Sequence, residues 1–217
     1  MSYTFPEGSQ FQFCKFSTFA AAKTVTAATN AAPPVLTSTT HGYVDNDEIV
    51  FFSGWEDASD TIYRADQLTA DTFGLLGMDA TSTTLYPAGS GAGTTQKVGT
   101  WSTIPQVLTI GTSGGDPKMT TISPLARRTA INVPTGFNAT TITLSIGYDP
   151  ANAVIQSMMG ISRTLEKVGF KMLLGGGGST YGFGYMAVSE VPQLSSGQTN
   201  QTTCVLTLLG KAMSYAT

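Results

Sequence analysis

"TITLSIGYDPANAVIQSMMG", residues 141–160, contains both periodicities found in this chain. Ile142, Leu144 and Ile146 alternate with Thr141, Thr143 and Ser145, so a strand here puts its apolar side chains on one face and its hydroxyls on the other. The period then changes. Asp149 and Pro150 form a helix start, with Asp as N-cap and Pro at the first helical position. Val154, Ile155, Met158 and Met159 follow at helical spacing, and Gly160 is the expected stop. The two methionines read as core rather than as a ligand groove. The strand pattern recurs along the chain and the helix pattern does not. The expected fold is therefore mainly β, with one short α-helix packed outside the sheet.

Further strands are expected at "FQFCKF" (11–16), "WSTIPQVLTI" (101–110), "YGFGYMAVSEVP" (181–192) and "QTTCVLTLLG" (201–210). In the last, Cys204, Leu206 and Leu208 share a face. A strand from about Val168 is expected to pair across "GGGGST" (175–180) with residues 181–188. Residues 33–98 have their own character. "PVLTST", "DEIVFFSG", "TIYRAD", "DTFGLLG" and "GTTQKV" are short, evenly spaced and separated by Asp, Asn, Gly and Pro turns. That spacing predicts a small five-stranded β-barrel. It reads as an insertion at 33–98 into a discontinuous β domain formed by 1–32 and 99–217.

Composition narrows the function. Charged residues make up 12% of the 217, against about a quarter in an average domain, and there are 34 threonines and 24 glycines. A surface so poor in charge suits a chain covered by neighbouring subunits. The net charge of −3 argues against a surface that grips nucleic acid. Cys14 and Cys204 are too few for a disulfide scaffold and read as buried thiols. "MSYTFPEGSQ" has no basic start and no apolar core, so no signal peptide is expected. No apolar run is long enough to span a bilayer as a helix.

"HGYVDNDEIVFFSGWEDAS" (41–59) holds the only histidine and an acidic cluster. An EF-hand needs alternating oxygen ligands and a glycine at the sixth position, where this stretch has Val50. Zinc needs several His or Cys ligands. The simpler reading is a tight turn at Asp45-Asn46-Asp47 that leads into a strand, with His41 bonded locally and Trp55 packed. "GTSGG" (111–115) matches the G-x-S-x-G pattern around Ser113, but a nucleophile elbow needs a helix to follow and a histidine downstream. "GGGGST" and Gly210-Lys211-Ala212 both fall short of a phosphate-binding loop. Arg127-Arg128 reads as a surface or interface pair. No catalytic, cofactor-binding or metal residues are assigned, so the chain is read as non-enzymatic with no cofactor. A competing expectation is a binding module with Tyr43, Trp55 or Tyr86 as an exposed platform for carbohydrate or a host surface.

Read together, four stretches resemble the major tail tube proteins of long, non-contractile phage tails. They are "HGYVDNDEIVFFSGW", "TIYRADQLTADTFGLLGMDAT", "LYPAGSGAGT" and "VGTWSTIPQVLTIGTSGGD". "TITLSIGYDPANAVIQSMM" is similar to that family's strand and short helix, and "VSEVPQLSSGQTNQTTCVLTLLG" to its last strand pair. The resemblance covers nearly the whole chain; residues 116–137 lie outside its motifs. It implies a structural virion protein assembled in the host cytoplasm. Hexameric rings would stack into a hollow tail, with the helix outside the wall and the 33–98 insert on the exterior. The implied partners are other copies of the chain, the tail tip, the tape measure and the tail terminator. DNA would be non-specific cargo in the lumen, and no membrane binding is implied. The ring-forming tube of a secretion system shares this architecture and is the related alternative. Residues 111–137 are expected to be a loop or long hairpin that orders on stacking, and the insert to be dispensable for the tube.

Overall fold

The computed structural model describes residues 7–197 and 199–216. The leader reading of "MSYTFPEGSQ" rests largely on residues 1–6, outside that range. In chain order the first strands are β1 (Gln10–Lys15), β2 (Lys23–Val25), β3 (Ala27–Ala28), β4 (Val35–Thr37), β5 (Glu48–Ser53), β6 (Thr61–Gln67), β7 (Thr72–Leu76) and β8 (Gly93–Lys97). Then come β9 (Ser102–Thr103), β10 (Val107–Ser113), β11 (Pro117–Ile122), β12 (Ile131–Phe137) and β13 (Thr141–Gly147). The helix α1 (Ala153–Thr164) is followed by β14 (Lys167–Leu173), β15 (Ser179–Val188), β16 (Gln201–Leu208) and β17 (Met213–Tyr215).

Among the described residues the strands sort into three sheets. The first has the order β10-β13-β16-β15-β14-β1-β9, with β17 added on β15. The second has the order β2-β8-β5-β6-β7-β4-β3. Strands β2 and β3 stand at its opposite ends, yet only Thr26 separates them in the chain. One residue spans a few ångströms, so this sheet must curl until its edges nearly meet, as a near-closed barrel. All five strands expected within 33–98 are present. The barrel has seven because β2 and β3, which precede residue 33, complete it. They were missed because two or three residues show no period; their register comes from partners, Thr24 against Thr94 and Ala28 against Leu36. The third sheet is the hairpin β11–β12 alone.

Three apolar clusters hold the molecule. One fills the barrel, with Phe51, Trp55, Tyr63 and Phe73. A second lies between the first sheet and α1, where Met158 and Ile161 meet Leu144, Phe170 and Leu206. The third joins the two sheets: Val50, Ile62 and Val98 of the second unit pack with Cys14, Tyr181 and Phe183 of the first. Alternation explains these faces. Ile142, Leu144 and Ile146 are buried, while Thr143 on the opposite face is exposed.

The helix departs from expectation at both ends. Its N-cap is Asn152, whose Oδ1 accepts the Val154 N–H at 2.9 Å. Asp149 instead accepts the Ala151 N–H at 2.9 Å, closing a turn ahead of the helix that contains Pro150. The helix also runs through Gly160 to Thr164. Burying Ile161 favours one more turn, and Leu165 ends it in the left-handed region at φ 52°. Residues 101–110 form two strands rather than one, broken at Gln106 with φ 52°.

Candidate functional site

The stretch 41–59 folds as a turn and a strand. Asn46 takes φ 65°, a conformation that Asn tolerates, and Asp47 Oδ2 accepts the Val44 N–H at 3.0 Å. Asp45 Oδ1 accepts the Gln67 N–H at 2.8 Å. Both carboxylates are therefore engaged in holding backbone. His41 is buried, its Nδ1 accepting the Tyr43 N–H at 3.0 Å and its Nε2 3.0 Å from the Thr69 carbonyl. With Nδ1 accepting, the proton sits on Nε2 and donates to that carbonyl. Neither nitrogen is left for catalysis.

The aromatic platform is not formed. Tyr43, Trp55 and Tyr86 are 3%, 1% and 7% exposed. Trp55 donates its indole N–H to the Pro87 carbonyl at 2.8 Å, and Tyr43 its hydroxyl to Thr95 at 3.0 Å. Barrel closure turns these side chains inward. A loop glycine, Gly91, seals the site: a Cβ there would lie 2.7 Å from the Trp55 ring.

Ser113 ends β10 and is followed by Gly114 and Gly115 at φ 83° and 77°. The G-x-S-x-G match is thus the entry to a hairpin, with no helix behind the serine. Cys14 and Cys204 are buried free thiols. Burial pushes the Cys204 thiol up to about 12 and also raises Cys14, so both stay protonated and poorly reactive. No group of three or more His, Cys, Asp or Glu among the described residues could hold a metal ion.

One polar constellation had no signature in the sequence. Glu48, at the start of β5, reaches across to the first sheet. Its Oε1 accepts from Lys171 Nζ at 2.7 Å and from the Tyr181 hydroxyl at 2.8 Å, and its Oε2 accepts from the Trp101 indole. Arg64 lies beside it, donating to Ser179 at 2.9 Å and Tyr181 at 3.0 Å, with the Tyr215 ring 4.9 Å below its guanidinium carbon. Every donor and acceptor here ties barrel to sheet. The arrangement is a rivet, not a reaction centre.

The remaining polar and apolar features face outward. On the hydroxyl face of the first sheet, the paired positions are Thr109, Gly111 and Ser113 of β10, Ser145, Thr143 and Thr141 of β13, Thr203, Val205 and Thr207 of β16, and Ala187 and Tyr185 of β15. None of these carries a charge. Strand β10 ends the strand order, and Leu108 and Ile110 on it are 48% and 41% exposed. Beyond it, every residue of β11 is exposed, as is every residue of β12 except Ile131. Met119, Ile122, Leu125, Val133 and Phe137 are among the large apolar side chains left in solvent.

The family described as "Phage tail tube protein, TTP" matches residues 53–217. No curated protein matches the chain. Among solved structures, the SPP1 tail tube is similar with 11% identity and a TM-score of 0.42, over 55% of this chain and 70% of that one.

Proposed function

The chain belongs to the phage tail tube protein family, and from that premise we propose that it polymerises as stacked hexameric rings into the tube of a long, non-contractile tail. Strand β10 carries this reading. It is seven residues long, stands at the end of the sheet order, and shows solvent both its hydroxyl face and the apolar Leu108 and Ile110. Such an edge pairs with another chain unless it is blunted by charge or proline, and β10 has neither. Pairing it with a neighbour's sheet continues the wall around a ring and removes the edge.

In this reading the uncharged hydroxyl face of β10, β13, β16 and part of β15 faces the lumen. Phosphates there meet neutral hydroxyls rather than lysines or arginines, so DNA slides without being held. The hairpin β11–β12 orders on stacking, because a two-stranded ribbon with no core of its own is marginal in water. Residues 33–98 are an inserted unit whose barrel β2 and β3 complete; it packs on Tyr181 and Phe183, beside the open hydroxyl strands and opposite the helix. Tail tip and terminator proteins would close the tube's ends, and the tape measure would fill it before DNA passes.

The variant Ile110→Lys tests this reading. It places a charge on the edge at a side chain that is 41% exposed and lies opposite Leu144, so folding is checked first. We expect a folded chain, by circular dichroism, that no longer forms tubes in electron micrographs. Tubes formed at wild-type concentrations would contradict the role given to β10.

A further inference from the structure

The charges of this chain are sorted by position. Residues 33–98 carry nine acids and two bases, a net −7, while the rest carries five acids and nine bases, a net +4. Three ion pairs already use the contrast within one copy, each joining an acid of 33–98 to a lysine of the other part: Glu48–Lys171, Asp60–Lys167 and Asp57–Lys211. Arg127 and Arg128, in the loop that joins β11 to β12, make no ion pair among the described residues. The Arg127 N–H donates to the Pro124 carbonyl at 3.1 Å, so the loop turns back on itself around Leu125, which is fully exposed. The tip therefore presents one apolar side chain and two unpaired guanidiniums.

At the root of the same hairpin is a groove of about 620 Å³. Phe137 and Leu209 line it, 79% and 44% exposed, with Glu56, Asp57 and Lys211. Glu56 is exposed and has no ion-pair partner among the described residues. Asp57 has only the Lys211 contact at 3.6 Å, with both side chains about half exposed. An exposed pair of that length is weak, and an arginine fork can displace it with two parallel hydrogen bonds. The tip cannot fill its own groove. Six strand residues at about 3.4 Å each hold it about 20 Å from the root.

We propose that the Leu125-Arg127-Arg128 tip of one copy docks in the Glu56-Asp57 groove of a second copy, with Leu125 against Phe137 and Leu209 and the arginines on the acids. Tip and groove are different surfaces of one chain, so the contact is heterologous and repeats from copy to copy. It rests on the tube reading for what it builds, and it names the partner of the hairpin in that reading.

Charge exchange tests it. We compare wild type, Arg127→Glu with Arg128→Glu, Glu56→Lys with Asp57→Lys, and the fourfold variant, each checked for folding by circular dichroism. The critical concentration for tubes is read by sedimentation and electron microscopy. Like charges facing each other raise it at least about tenfold in each double variant, and the fourfold variant returns toward wild type. Wild-type assembly also weakens as salt rises. If both double variants assemble like wild type, or if the folded fourfold variant is no better than either, the contact is overturned and the tube reading stands. A wild-type chain that never assembles overturns both.

Discussion

Glu48 ties the two sheets together through Lys171, Tyr181 and Trp101. Its partner Lys171 is only 17% exposed, so removing the carboxylate leaves a largely dehydrated ammonium without an acid. Glu48→Ala is expected to cost about 3 kcal/mol in denaturant melts, and a cost under about 0.5 kcal/mol would contradict its role as a rivet. Other buried groups set the alkaline limit. Burial raises Tyr43, Tyr63 and both cysteines, with Cys204 pushed up to about 12, and takes Tyr215 up to about 12 as well. Each folded-state value exceeds the unfolded one, so the folded chain binds more protons in between. Their contribution is complete below about pH 9 and is lost as pH rises through about 12. The urea midpoint is expected to fall between about pH 9 and about pH 11; an unchanged midpoint would contradict this. The His41–Tyr43 bond and the Asp45-Asn46-Asp47 turn were legible because those contacts are local, whereas the bonds to Thr69 and Gln67 were not. The Glu48 network was not, because no local pattern encodes contacts to residues 101, 171 and 181.

Among the elements, alternation made β13, β15 and β16 readable, since one-sided burial is written into every second residue. The helix was readable in place but not in extent. Gly160 stops a helix only where the chain turns to positive φ, and here that conformation falls on Leu165. A Cβ at Gly160 would meet nothing within 4 Å. Gly160→Ala is therefore expected to raise stability by about 0.5–1 kcal/mol, and a measured loss would contradict the open space assigned there. The hairpin makes the opposite case. Among the described residues, strands β11 and β12 pair only with each other. Deleting residues 114–134 is expected to leave the far-ultraviolet spectrum and melting of the remaining chain nearly intact while abolishing polymerisation. Tubes formed by the deleted chain would remove the hairpin from the account. The composition of 111–137 suggested a loop or long hairpin without deciding between them, because an exposed ribbon has no apolar period; the hairpin occupies 117–137, and 111–113 belong to β10.

At the scale of the whole molecule, low charge and abundant threonine indicated a surface meant to be covered. Its large exposed apolar side chains include Leu108 and Ile110 on β10 and Met119, Ile122 and Phe137 on the hairpin. The competing aromatic platform is absent because its side chains are the core of the barrel, in line with the packed reading of Trp55. The seven-stranded count needed partners that no short segment announces. The most direct measurement is negative-stain electron microscopy of the purified chain over a concentration series. Hollow tubes with sixfold end views are the predicted result. Small dispersed particles at every concentration, even with purified tail tips added as nuclei, would contradict the account.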